Sequence, residues 1–133
     1  MKIALSILAS VLLAFGVAMA QEKTANPATP AVKVEKIVVA TSVENHDPVG
    51  ENTEFQASVG TLYCWTKITA ANPPATIKHV WYDDDKKVFE LSLDIKFAST
   101  RTWSSKSVKA GSWKVEVTDD AGTVLSSVTF TVK

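Results

Sequence analysis

The sequence predicts an all-β domain, a two-layer antiparallel sandwich of seven strands, and three observations carry that expectation. Past about residue 35 the apolar side chains recur at every second position, the period of a strand with one wet face. Clusters of Asp, Asn, Gly and Pro interrupt this alternation at intervals of roughly a dozen residues, as turns between short strands would. No segment of the same region shows a sustained helical period.

The elements follow in order. Residues 37–43 open the domain with a β-branched run, and residues 60–69 follow, where Leu62, Cys64, Thr66 and Ile68 form a core row and Tyr63, Trp65 and Lys67 point outward. Residues 76–82 make the next strand, because Ala71-Asn72-Pro73-Pro74 forbids continuation of the previous one. Asp83-Asp84-Asp85-Lys86 turns the chain into the clearest alternation, 88–97, with Phe89, Leu91, Leu93, Ile95 and Phe97 on one face. Residues 102–108 follow, then Trp113, Val115 and Val117 alternating with Lys114, Glu116 and Thr118. Asp119-Asp120-Ala121-Gly122 makes a hairpin into the last strand, where Val124, Ser126, Val128, Phe130 and Val132 share a face. Seven such strands in about 100 residues read as an immunoglobulin/fibronectin-like sandwich, with a small closed barrel as the alternative. Cys64 and Trp81, on consecutive strands, stand where immunoglobulin domains place a core cysteine and a core tryptophan, but the partner cysteine is missing.

The first 20 residues are of another kind. Lys2 precedes an apolar run broken by Ser6, Ser10 and Gly16, and Ala18-Met19-Ala20 has the small-x-small form of a cleavage site. The run is short of the roughly 20 residues a bilayer span needs, so it reads as a signal peptide removed before Gln21. Residues 21–34, rich in Pro, Ala and Thr, read as a flexible tether, and 35–133 as a single domain. The expected product is periplasmic or secreted, with no membrane association after cleavage. Of the 133 residues, 14 are basic and 14 acidic. So balanced a chain offers no long-range field for nucleic acid or an anionic membrane.

The strings Gly60-Thr61-Leu62-Tyr63-Cys64-Trp65-Thr66-Lys67-Ile68, His79-Val80-Trp81-Tyr82, Arg101-Thr102-Trp103-Ser104-Ser105-Lys106 and Gly111-Ser112-Trp113-Lys114-Val115-Glu116-Val117 resemble a bacterial family of small exported domains of unknown function. The resemblance covers most of 35–133. It implies a secreted or tethered module and supplies no activity and no catalytic residues.

The residues themselves point away from catalysis. Glu90 and Asp94 share a strand face but sit about 13 Å apart at strand rise, too far for a glycosidase pair, and no nucleophile elbow, phosphate loop or dinucleotide fingerprint is present. No cofactor is expected. A metal-binding or redox role through Cys64 and His79, with His46, is the alternative reading, although two histidines and one thiol do not form a zinc spacing. His79 and Trp81 lie two apart on one strand. If Trp81 is core, His79 must be hydrogen-bonded or neutral; if Val80 and Tyr82 are core, both lie outside.

The remaining signal is aromatic. Tyr63, Trp65, Arg101 and Trp103, joined by His79 and Trp81 in the second case, predict an aromatic sheet face with a polar rim. Such a face suits sugar rings, and it equally suits a protein hot spot. The expectation is therefore an exported, non-enzymatic recognition or structural module that binds an envelope protein or a glycan; the oligomeric state is open.

Overall fold

The computed structural model describes residues 31–133; the expected leader, 1–20, and the first part of the tether, 21–30, lie outside the described residues. Ten strands follow in order: β1 (Val32–Ala40), β2 (Ser42–Glu44), β3 (Asp47–Val49), β4 (Glu54–Phe55), β5 (Thr61–Ala70), β6 (Ala75–Asp83), β7 (Lys86–Ile95), β8 (Ser99–Ser107), β9 (Gly111–Asp119) and β10 (Val124–Val132), with one 3-10 turn at Ala57–Val59. Among the described residues no helix is long and apolar enough to cross a membrane.

The strands form a three-stranded sheet, β1-β5-β8, a five-stranded sheet, β4-β10-β9-β6-β7, and a small hairpin, β2-β3. Counting only the long strands, the first, second and fifth face the third, fourth, sixth and seventh. This is the expected immunoglobulin/fibronectin-like sandwich, with antiparallel pairing throughout the long strands. Local chemistry sets the turns. Asp84 adopts φ 59° between β6 and β7, and Gly122 adopts φ 90° between β9 and β10, backbone conformations that Asp tolerates and Gly prefers. The Asp119 carboxylate accepts hydrogen bonds from the Ala121 and Thr123 amides, each at 2.9 Å, and closes the second turn.

The interior holds two apolar clusters. Val39, Leu62, Cys64, Trp81, Trp113, Val115, Phe130 and their neighbours form one; Val32, Ile68, Ile77, Ile95 and Val117 form the other. Cys64 and Trp81 thus meet in one core as the immunoglobulin analogy expects, without a disulfide, and the Cys64 thiol is free and buried. Leu62, Cys64, Thr66 and Ile68 are all fully buried, so the expected core row of β5 is correct.

Four expectations need correction. The domain starts with β1 at Val32, which pairs with Ala70 and is buried, so the last residues given to the tether belong to the sandwich. The expected first strand, 37–43, is two strands, because the chain leaves the sheet at Thr41 and returns as a hairpin. The alternation ending at Phe97 stops at Ile95; Phe97 lies in the following loop and is 68% exposed. In β10 a bulge between Val124 and Ser126 leaves Val124 exposed and packs Leu125 against the second cluster, since one extra residue shifts the alternation by one face.

Candidate functional site

The register of the three-stranded sheet defines three rows on its outer face. Val38, Trp65 and Trp103 are direct cross-strand neighbours, Ala40, Tyr63 and Ser105 form the row on one side, and Lys36, Lys67 and Arg101 form the row on the other. Trp103 and Tyr63 are half-buried, while Lys36, Lys67 and Arg101 are exposed. Four of the six expected surface residues, Tyr63, Trp65, Arg101 and Trp103, are therefore brought onto one face.

Trp65 is on that face but is only 3% exposed. Its cover is the β2-β3 hairpin, whose turn residues Asn45 and His46 have φ 53° and 67°. Two left-handed residues in a two-residue loop make the tight turn that matches strand twist. The turn presents the His46 carbonyl to Trp65, which donates its indole N–H across 2.8 Å. The His46 ring meets Trp103 edge-on, 5.7 Å between centroids at 70°, and Arg101 Nη1 donates to Asp47 Oδ1 at 2.8 Å. The surface that remains is a shallow platform of Trp103 and Tyr63, edged by His46, Asp47, Arg101 and Lys67.

His79 and Trp81 are not part of it; this corrects the expectation of a single six-residue platform. Both point into the interior and are fully buried, as the first of the two readings required. Their polar atoms are joined in one directed chain. The Thr66 hydroxyl donates to the Thr102 carbonyl at 3.0 Å, so across the 3.2 Å to His79 Nε2 it must accept. His79 then carries its proton on Nε2, and Nδ1 accepts from the Ser104 hydroxyl at 2.7 Å. Ser104 Oγ in turn accepts the Trp81 indole N–H at 2.9 Å. Every buried donor and acceptor in the chain is matched only when the imidazole is neutral. Burial lowers the His79 pKa to about 4, in agreement with that assignment.

The residues of the alternative reading are not assembled. Cys64 faces the interior, where burial pushes its thiol well above the usual range; His79 has both ring nitrogens engaged; His46 lies on the outer face. Among the described residues no three His, Cys, Asp or Glu side chains gather in a group that could hold a metal ion.

The outer face of the five-stranded sheet provides a contrast. There Lys78 and Lys87 flank Glu90 at 3.8 and 2.9 Å, and Lys114 reaches Glu116 at 3.3 Å while lying 4.8 Å from the Tyr82 ring centroid. The Lys87 hydrogen bond holds the Glu90 carboxyl below its ordinary range. That face is a lattice of opposite charges. Four surface depressions of about 290 to 380 Å³ are lined by residues outside the aromatic face.

Sequence reasoning missed the hairpin as a cover and Lys36 as part of the face. The turn itself was signalled by Asn45-His46-Asp47-Pro48 between apolar residues, but its landing on Trp65 was not. Residues 74–132 match the model of a family described as a protein of unknown function, DUF2914. That match supports a domain-of-unknown-function family for this part of the chain. No curated protein matches the sequence.

Proposed function

We propose that this chain is an exported, non-enzymatic recognition module that binds a glycan on the outer face of β1-β5-β8. The observation that carries the reading is the pair of half-exposed rings, Trp103 and Tyr63, set among His46, Asp47 and Arg101. A sugar offers C–H faces that lie on planar aromatics and hydroxyls that bond to the groups around them, and a shallow platform framed by donors and acceptors suits both. Trp65 supports the platform from within, directly beside Trp103 in the sheet. A non-enzymatic role is supported by the enclosure of the buried titratable groups, His79 and Cys64, in the core. Export to a periplasm or to the medium is supported by the leader pattern, and the intact mass of protein from its native compartment is expected to start at Gln21.

The test is retention on immobilised envelope polysaccharides. The wild-type chain is expected to be retained, Trp103→Ala and Tyr63→Ala to elute unretained, and Phe97→Ala, which alters an exposed ring elsewhere, to behave as wild type. Equal retention of Trp103→Ala would refute the reading. Crosslinking that returns one protein partner through Trp103, with no polysaccharide retained, would assign the face to a protein instead.

A further inference from the structure

The aromatic face carries an arrangement that folding does not call for. Lys36, Lys67 and Arg101 stand directly opposite one another across β1, β5 and β8, and like charges directly opposite weaken a sheet. The other sheet shows the compensated alternative, in which each outward glutamate has a lysine beside it. Here the compensation is incomplete. Arg101 has Asp47 at 2.8 Å and Lys36 has Glu51 at 3.7 Å. Glu35, farther along the face, is engaged by Lys33 at 3.8 Å and by the Thr69 hydroxyl at 3.2 Å. Lys67, in the centre of the row, is exposed and has no acidic side chain within ion-pair distance among the described residues.

A rule of local sheet design broken without a folding gain marks a place where function is expected. Arg101 uses Nη1 on Asp47 and keeps further N–H groups for a second acceptor. Arg101 and Trp103 project from the same side of β8 two positions apart, about 6.6 Å at strand rise. A pyranose ring lying on Trp103 would therefore bring a carboxylate on its edge toward Arg101 and Lys67. We propose that Lys67 and Arg101 seat the carboxylate of an acidic polysaccharide whose sugar ring rests on Trp103. The inference rests on the glycan reading above and adds the charge of the glycan to it. It is compatible with the balanced net charge of the chain, because the row acts at contact range and not as a long-range field.

Calorimetric titration of the purified chain with oligogalacturonate, its fully methyl-esterified counterpart and oligoglutamate tests it. Oligogalacturonate is expected to bind, with affinity falling as salt rises. The ester and oligoglutamate are each expected to bind roughly tenfold more weakly or worse. Lys67→Gln is expected to weaken oligogalacturonate binding by up to about fivefold, with Lys96→Gln, an exposed cation off this face, unchanged. Both substitutions are at exposed positions, and circular dichroism checks that the variants stay folded. Equal binding of the ester overturns the charge selection and leaves the glycan reading standing. Equal binding of oligoglutamate overturns the role of the sugar ring. No binding of either sugar overturns the proposal, and retention on envelope polysaccharides then decides whether the glycan reading falls with it.

Discussion

Acidification should destabilise this domain through one side chain. His79 is neutral in the fold because its Nδ1 accepts from Ser104 and its Nε2 donates to Thr66. Protonation would turn Nδ1 into a donor toward an oxygen that already accepts from Trp81, and would place a charge in a fully buried position. The folded-state pKa is about 4 against a reference of 6.5. As pH falls through 6.5 the unfolded chain takes up the proton and the folded chain does not, so stability falls with pH at close to 1.4 kcal/mol per unit. The loss continues until the folded state titrates near 4. Between pH 7 and 4.5 it amounts to about 2 to 3 kcal/mol, a large part of the stability of a domain this size. The exposed Glu90 carboxyl, held below its ordinary range by the Lys87 hydrogen bond, adds a loss of the same sign as pH falls, and comparison with the His79 variant separates the two. Urea unfolding followed by tryptophan fluorescence at pH 7, 6, 5 and 4.5 measures the slope. His79→Gln, whose amide offers a donor and an acceptor but does not titrate here, should flatten it whatever its stability at pH 7. An unchanged slope in His79→Gln would show that the destabilising proton binds elsewhere and refute the assignment of a neutral, enclosed imidazole.

Other outcomes follow from the same contacts. Ser104→Ala leaves the Trp81 indole N–H and His79 Nδ1 without their shared partner and should cost about 2 to 4 kcal/mol, read as a fall in urea midpoint with the m-value unchanged. Lys67→Thr removes the central member of the like-charge row and should raise the melting temperature by roughly 1 to 4 °C at low salt, with the gain shrinking in high salt. Trp65→Phe removes the hydrogen bond to the His46 carbonyl; amide exchange should speed up in residues 42–49 while β5 and β9 keep their protection. Gly50→Ala should cost more than about 1 kcal/mol, because φ is +76° and the new Cβ would collide with Thr41 Oγ1; an unaltered melting curve would show that the approach to β4 relaxes freely.

Which side of a strand faces inward was readable wherever the alternation was unbroken. The row Leu62, Cys64, Thr66 and Ile68, and Trp113, Val115 and Val117, are buried as their spacing requires, because side-chain direction in a strand is set by the residue's own position in the pleat. The alternation failed at Val124 and Phe97, where a bulge and a strand end interrupt the pleat. It also left His79 and Trp81 undecided, because Val80 and Tyr82 form an equally acceptable apolar face. Their orientation is decided by Ser104 and Thr66, 25 and 13 positions away along the chain, which supply the partners a buried imidazole needs.

Period, turn chemistry and charge balance, all local or additive quantities, determined from the sequence by itself that this is a β-sandwich with no strong net field, and left the aromatic face as an expectation. Only the tertiary structure decided which rings stay accessible and which charges meet. Trp65 is closed off by a hairpin carrying His46, 19 positions earlier, and Lys36, Lys67 and Arg101 become neighbours through pairings of β5 with β1 and β8 that span more than 30 residues each. Burial and electrostatic contact are properties of the space between segments, and the pairing that creates that space is set by the whole core at once.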